Sequence, residues 1–326
     1  MFYSSFIVGF EELVKRIIEE KSSDLSIEKI LNGAVLMKTD YSTAIIQPFF
    51  NNYFAVFKYA KETNITKFIN SLDKLKIPRN MSKRSFRVII SDCNNLVSID
   101  NKVLTKLENI IIKETGHYVN RVKPDIEYWI LKRSEGIILF MERIHKHAPF
   151  DKQLNKGELR KDLCYFLNYL AKSNQDDIFL DPFCGSGAII KSRLDNNLTF
   201  GKPNLVFGID INEIQIKALR NQFKKKNKLI FKSINFFNNN FEDSFIDRIV
   251  TDPPWGMFEK LDNVKLFYQN MLDEMNRIIK PYGIIVVLTA CRDEIESVNT
   301  KLLLLEKYHI LVNGKKAGVY VYQKKD

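Results

Sequence analysis

The chain has 326 residues, 45% hydrophobic and 27% charged, which suits two folded domains better than a disordered or fibrous chain. No apolar run could span a bilayer, and Met1-Phe2-Tyr3-Ser4-Ser5 lacks a secretory pattern; Cys93, Cys164, Cys184 and Cys291 stand apart with no Cys-x-x-Cys pair. Membrane partners, disulfide frameworks and zinc knuckles are therefore excluded, a cytoplasmic location is expected, and the net charge of +11 favours a polyanionic partner.

The positive charge is spread along the chain, with 23 basic against 17 acidic residues in 1–150 and 27 against 22 afterwards. A lysine-rich composition alone has the same signature, so charge does not decide for nucleic acid. In chain order, Phe6 to Phe10 reads as a short apolar strand, and Glu11 to Glu20 as a helix with Leu13, Val14, Ile17 and Ile18 on one face. Val35-Leu36-Met37, Thr43 to Ile46 and Tyr53 to Phe57 read as strand pieces. Ile65 to Lys76 reads as a helix ended by Pro78, Ser85 to Ile90 as a strand, and Val103 to Glu114 as a helix stopped by Gly116. Glu127 to Leu131 and Ile137 to Met141 flank a hairpin turn, Arg133-Ser134-Glu135-Gly136. His145 and His147 have no third ligand nearby in sequence, and no metal site is expected.

From about residue 158 the pattern alternates strand and helix. Asp177 to Asp181, Leu205 to Asp210, Leu229 to Ser233, Ile246 to Thr251 and Ile284 to Thr289 are short apolar runs separated by amphipathic segments, and His309 to Val312 with Val319 to Tyr322 form a terminal hairpin. This predicts an α/β, Rossmann-like, doubly wound domain of seven strands with a C-terminal antiparallel hairpin.

The first motif is Asp181-Pro182-Phe183-Cys184-Gly185-Ser186-Gly187-Ala188, directly after an apolar strand and before a helical segment to Leu194. Gly185 and Gly187 would let the backbone pass close under a ligand. No Lys stands where a P-loop needs one, and Ile190 occupies the third small position of a dinucleotide fingerprint. A carboxylate at Asp181 repels pyrophosphate but suits a cationic amine and sulfonium, which favours S-adenosylmethionine. Asp210 ends the next strand, where an acid can accept from both ribose hydroxyls. Asn235, near the end of the third, is a candidate acceptor for the adenine amine.

The second motif is Thr251-Asp252-Pro253-Pro254-Trp255-Gly256 at the end of the fourth strand. An exocyclic base amine is a poor nucleophile because its lone pair is delocalised. The Asp252 side chain and the Pro253 carbonyl can accept its two N–H bonds, and Pro253-Pro254 restricts the backbone that carries them. These acceptors bind the developing positive nitrogen better than the ground state. Alignment of amine, methyl and sulfur contributes the rest. Trp255 offers a stacking face, worth about 1–3 kcal/mol. A base inside a duplex would first be flipped out.

Asp252 to Trp255 resembles the Asp/Asn/Ser-Pro-Pro-Tyr/Phe/Trp motif of the amino-group methyltransferases, which act on adenine N6, cytosine N4, guanine N2 or a glutamine amide. Ser85-Phe86-Arg87-Val88, Thr115-Gly116-His117-Tyr118-Val119-Asn120 and Lys123-Pro124-Asp125-Ile126-Glu127-Tyr128-Trp129 resemble a THUMP domain, an α+β RNA-binding module. Gly157 to Leu163 resembles the segment joining it to the catalytic domain. The resemblance implies a ferredoxin-like lead-in at 1–65, a THUMP-like domain at 66–145 and a methyltransferase domain at 146–326. It further implies guanine-N2 methylation of structured RNA, tRNA first, with rRNA or small nuclear RNA as other substrates. Lys83, Arg84 and Arg87 become phosphate-contact candidates. Trp129 and Tyr128 are expected in the β core. Two departures stand out: Asn235 replaces the usual acid, and Trp255 the usual Tyr or Phe. Adenine-N6 methylation of RNA or DNA and a catalytically silent RNA-binding role are the alternatives; the motifs do not speak to an activating protein subunit.

Overall fold

The computed structural model describes residues 1–21, 25–39, 47–78, 82–146, 158–224, 228–256, 263–312 and 314–326, with the side chains of 21, 145 and 146 excepted. The strand piece expected at Thr43 to Ile46, the His145/His147 side-chain pair, Gly157 and Asn313 lie outside that description. The chain divides into two compact units, Met1–Phe6 with Glu11–Ala148, and Ile7–Phe10 with Pro149–Asp326. No helix among the described residues is long and apolar enough to cross a membrane.

The first unit contains β1 (Phe2–Ser5), α1 (Glu11–Lys21), β2 (Ser26–Leu31), β3 (Ala34–Lys38), β4 (Asn52–Lys61), α2 (Ile65–Asn70), β5 (Ser85–Asp92) and β6 (Asn95–Leu96). It continues with α3 (Asn101–Thr115), β7 (Tyr118–Val119), β8 (Ile126–Lys132) and β9 (Ile137–Lys146). One sheet runs β2-β3-β1-β4-β9-β8-β5-β6, with β7 beside β5, so pairing is continuous across position 65. Strand periodicity sorts its side chains. Tyr128, Ile130, Ile138 and Phe140 join Phe68, Leu107 and Ile111 of α2 and α3 in one core, while Leu131, Ile137, Leu139 and Met141 join Tyr3, Leu36 and Phe54 in another. Tyr128 is buried in the first; Trp129 packs at the edge of the second.

Three readings change here. The first strand is Phe2–Ser5, not Phe6 to Phe10: Ser5 is the last residue paired with β3 and β4, and Gly9 at φ 100° sits in the turn that Phe10 N–H closes on Ile7 O. Phe6 to Phe10 is apolar because Phe6, Ile7 and Phe10 are buried, Phe10 against Phe166 and Tyr308 within the second unit. Helix α2 stops at Asn70 rather than Lys76, since Ser71 N–H reaches Phe68 O and successive tight turns carry the chain through Leu75. The third helix starts at Asn101, capped by Asp100, and ends at Gly116 with φ 75°, as its glycine implied.

The second unit opens with α4 (Lys161–Leu170) and proceeds through β10 (Ile178–Asp181), α5 (Ala188–Asp195), α6 (Asn197–Phe200), β11 (Leu205–Asp210), α7 (Glu213–Gln222) and β12 (Leu229–Ser233). It then passes through β13 (Ile246–Thr251), α8 (Val264–Ile278), β14 (Ile279–Thr289), α9 (Arg292–Glu296), β15 (Leu303–Val312) and β16 (Lys315–Gln323). The seven strands lie in the order β12-β11-β10-β13-β14-β16-β15. All pairs are parallel except those of β16, which runs antiparallel to both neighbours. This is the α/β, doubly wound sheet with a terminal hairpin. Strand order reverses between β10 and β13, so the crevice beyond their carboxyl ends is where such a sheet receives a ligand.

Candidate active site

Three acids meet at that crevice because each ends a neighbouring strand. Asp181 closes β10, Asp210 closes β11, and Asp252 follows β13 directly. Asp181 is 1% exposed. Its Oδ1 accepts the Thr251 hydroxyl at 2.9 Å and the Phe183 N–H at 3.3 Å. It thus couples the glycine turn to the residue just before Asp252. Burial pushes its pKa up to about 7, with the Asp210 charge adding and both hydrogen bonds opposing.

Asp210 is half-buried; Oδ2 accepts Gly185 N–H at 2.9 Å and Oδ1 accepts Asn212 N–H at 2.8 Å. A carboxylate has about four lone-pair sites. Two remain for ribose hydroxyls, so the acid fits the nucleoside of S-adenosylmethionine.

The backbone around the glycines adds reasons for them that involve the protein alone. A Cβ on Gly187 would lie 2.6 Å from Leu219 Cδ2 of α7, so the space it leaves is filled by protein, and its φ of +76° independently demands glycine. A Cβ on Gly185 would meet only Gln215 Oε1, at 3.5 Å; there φ +45° favours glycine, and its N–H is given to Asp210. Gly208, not singled out from sequence, lets Phe231 and Ile190 close within 3 Å of where its Cβ would be. Pro182 is buried in the turn, and Phe183 packs on Phe236 and Phe267. Asn235 is exposed and caps the short 3-10 turn Phe236–Asn238, with Oδ1 accepting Phe237 N–H at 3.0 Å. That bond occupies the carbonyl oxygen expected to face adenine, leaving only its second lone pair.

At the second motif, Asp252 Oδ1 accepts the Trp255 indole N–H at 2.8 Å. Burial raises the Asp252 pKa to about 8, the indole bond lowers it, and the Asp181 charge raises it. Pro253 is buried; Pro254, Trp255 and Asp252 are partly accessible. The indole is therefore fixed against the same carboxylate whose other oxygen, among the described residues, carries no hydrogen bond. Thr251, Tyr268, Thr289 and Cys291 also belong to this neighbourhood and were not read as site residues.

The basic candidates lie in the first unit. Lys83 is exposed and Arg84 half-buried just before β5. Arg87 pairs with Glu127 on β8, which also binds Arg143 at 2.5 Å. Among the described residues no cluster of three or more His, Cys, Asp or Glu is arranged to hold a metal.

Residues 151–319 match the family model for UPF0020, the RMKL-like methyltransferase domain. The tRNA (guanine(10)-N2)-dimethyltransferase of Methanocaldococcus jannaschii is 27% identical over 281 residues, covering 82% of this chain and 71% of that protein. The U6 snRNA (guanine-N(2))-methyltransferase THUMPD2 of Bos taurus is 22% identical over 220 residues, 64% of this chain and 42% of that protein. The crystal structure of TrmN from Thermus thermophilus shares the fold, with a TM-score of 0.78 at 17% identity over 99% of both chains.

Proposed function

Because the chain belongs to the RMKL-like methyltransferase-domain family, we propose that it transfers the methyl group of S-adenosylmethionine to the exocyclic N2 of a guanosine in structured RNA, with tRNA the favoured substrate. One observation carries this reading. The Asp252 carboxylate, with one oxygen unbonded among the described residues, lies in the Asp-Pro-Pro-Trp turn beside the Pro253 carbonyl, and that turn is tied through Thr251 and Asp181 to the glycine turn.

Bound at that turn, S-adenosylmethionine supplies a methyl group activated by its sulfonium. Asp210 has lone pairs for the ribose, and Gly185 keeps its N–H on Asp210, so the turn is set before binding. Asp181 places negative charge under the turn, complementary to the amine and sulfonium. Asp252 Oδ2 and the Pro253 carbonyl accept the two N–H bonds of the guanine amine, orienting its lone pair at the methyl carbon. On accepting the methyl group the amine nitrogen would become cationic, and both acceptors would bind it more strongly than the neutral amine. Asp252, with a pKa near 8, is matched to take the proton then released. Trp255, fixed by its indole bond, stacks on the base.

The first unit acts in this scheme as the THUMP-like RNA-binding part. The three strings that carry that resemblance converge: Ser85–Val88 lies in β5, which pairs with Tyr118–Val119 and with Ile126–Trp129. Lys83 and Arg84 are the phosphate contacts within it, with Arg87 held back by Glu127. Four free cysteines fit a reducing, cytoplasmic setting.

Nucleoside mass spectrometry of RNA incubated with enzyme and deuteromethyl S-adenosylmethionine tests the reading. Labelled N2-methylguanosine is expected. Labelled N6-methyladenosine would replace the guanine assignment, and cofactor binding without transfer to any RNA would make the chain a silent RNA-binding partner.

A further inference from the structure

The turn after β13 is held from behind by buried polar groups that the transfer scheme does not use. Tyr268 of α8 is fully buried, with its hydroxyl 2.6 Å from Thr289 Oγ1 and 3.4 Å from the Pro254 carbonyl oxygen. Thr289, also fully buried at the end of β14, accepts the Cys291 N–H at 2.9 Å. One placement of hydrogens satisfies all three contacts: Cys291 N–H donates to Thr289, the Thr289 hydroxyl to Tyr268, and the Tyr268 hydroxyl to Pro254. In the same network, Cys291 Sγ donates to the Trp255 carbonyl at 3.2 Å and lies within hydrogen-bond reach of the Tyr268 hydroxyl. Burial raises the pKa of both Tyr268 and Cys291, which keeps each protonated as a donor.

The consequence concerns which backbone oxygens remain open. Pro254 and Trp255 carbonyls are engaged from behind, and the Trp255 indole is engaged by Asp252. Among the described residues no donor reaches the Pro253 carbonyl. We propose that Tyr268, Thr289 and Cys291 form a positioning latch that clamps the turn so that, of the Pro253, Pro254 and Trp255 carbonyls, that of Pro253 is presented beside Asp252 to the acceptor amine. This rests on the transfer reading given above. The Thr289 contact by itself would satisfy a buried tyrosine hydroxyl; the added reach to Pro254, and the contact of the Cys291 thiol to the next carbonyl, Trp255, are what distinguish a latch from simple core bonding. The 3.4 Å contact is long, as such bonds often are before the reactants are bound. Because a misplacement of about 1 Å can cost roughly 100-fold in rate, loosening the turn is expected to show in kcat.

The protein has two tryptophans, so Trp129→Phe, in the first unit, leaves Trp255 as the only indole and its acrylamide quenching as a direct report on the turn. In that background Tyr268→Phe and Thr289→Val should raise the quenching constant about twofold and lower kcat about 10-fold or more. S-adenosylhomocysteine affinity should stay within about twofold, since the latch does not touch the glycine turn. Thr289→Ser, which retains the hydroxyl, should restore both readouts. Should Tyr268→Phe not fold, Cys291→Ala carries the test through its own contact to Trp255, with the same direction in both. Quenching and kcat unchanged in folded variants would remove the latch, and so would a kcat loss matched by an equal loss of cofactor affinity. If the parent transfers no methyl to RNA, the functional reading fails by itself. Quenching then decides the latch alone: a rise supports it and no change refutes it.

Discussion

Replacing Asp181 by Asn should stabilise the unliganded protein at alkaline pH while weakening its response to cofactor. The Asp181 pKa rises from 3.8 to about 7, chiefly through burial, so the folded state holds this proton more tightly than the unfolded state. The sign follows directly. Below pH 3.8 the group is protonated in both states and costs nothing; the penalty of ionising it grows as pH climbs and is complete above about 7. At about 1.4 kcal/mol per unit the full penalty is about 4 kcal/mol, of which roughly 2–3 kcal/mol accrues between pH 5 and 8.5. Asn keeps an Oδ1 for the Thr251 hydroxyl and Phe183 N–H, but a buried amide without an acceptor returns about 1–3 kcal/mol. The net expectation is a gain of about 1–3 kcal/mol at pH 8.5, or several degrees in Tm, shrinking or reversing at pH 5. Urea denaturation of both proteins at the two pH values measures this, with and without S-adenosylhomocysteine. A difference that does not change with pH would refute the argument, as would a stabilisation by ligand in Asp181→Asn as large as in the parent.

Asp252→Ala should lower kcat about 100- to 1000-fold while leaving S-adenosylhomocysteine affinity within about threefold by calorimetry; loss of both would mean the two motifs do not divide the work. Methyl transfer should rise with pH and level off above about 8, because the raised pKa of Asp252 leaves it protonated and unable to accept at lower pH; a flat profile between pH 6 and 9 contradicts this. Gly187→Ala should cost about 1–3 kcal/mol, since it meets both a positive φ and Leu219 at 2.6 Å, and adding Leu219→Ala should recover only the clash; a neutral single variant would be inconsistent with the packing. Charge reversal at Lys83 and Arg84 should weaken RNA binding and reduce its salt slope by roughly one to two; an unchanged slope takes both residues out of the interface.

The second unit was the more legible half for a physical reason. Leu205–Asp210, Leu229–Ser233 and Ile246–Thr251 stand in the sheet at the bounds their apolar runs announce; Leu205–Asp210, buried through its middle four residues, is the continuous hydrophobic run that a central parallel strand requires. In the first unit, Ser26–Leu31 is a strand concealed by the exposed Ser26, Glu28 and Lys29, which break its apolar pattern, and Phe6 to Phe10 is apolar for burial in a turn. Asp181, Asp210 and Asp252 were readable because a strand end followed by a turn is a local pattern. The groups that organise them were not. Thr251 and Asp181 are 70 residues apart, and Tyr268, Thr289 and Cys291 reach the Asp-Pro-Pro-Trp turn only through tertiary packing. Cys291, in sequence, is simply an isolated thiol.

The most direct measurement is a crystal structure of the protein with S-adenosylhomocysteine. The account requires the ribose hydroxyls on Asp210 and the sulfur facing the open side of Asp252 and Trp255, with the indole still bonded to Asp252. A ligand docked away from the ends of β10 and β11, or an indole turned into the core, would contradict it.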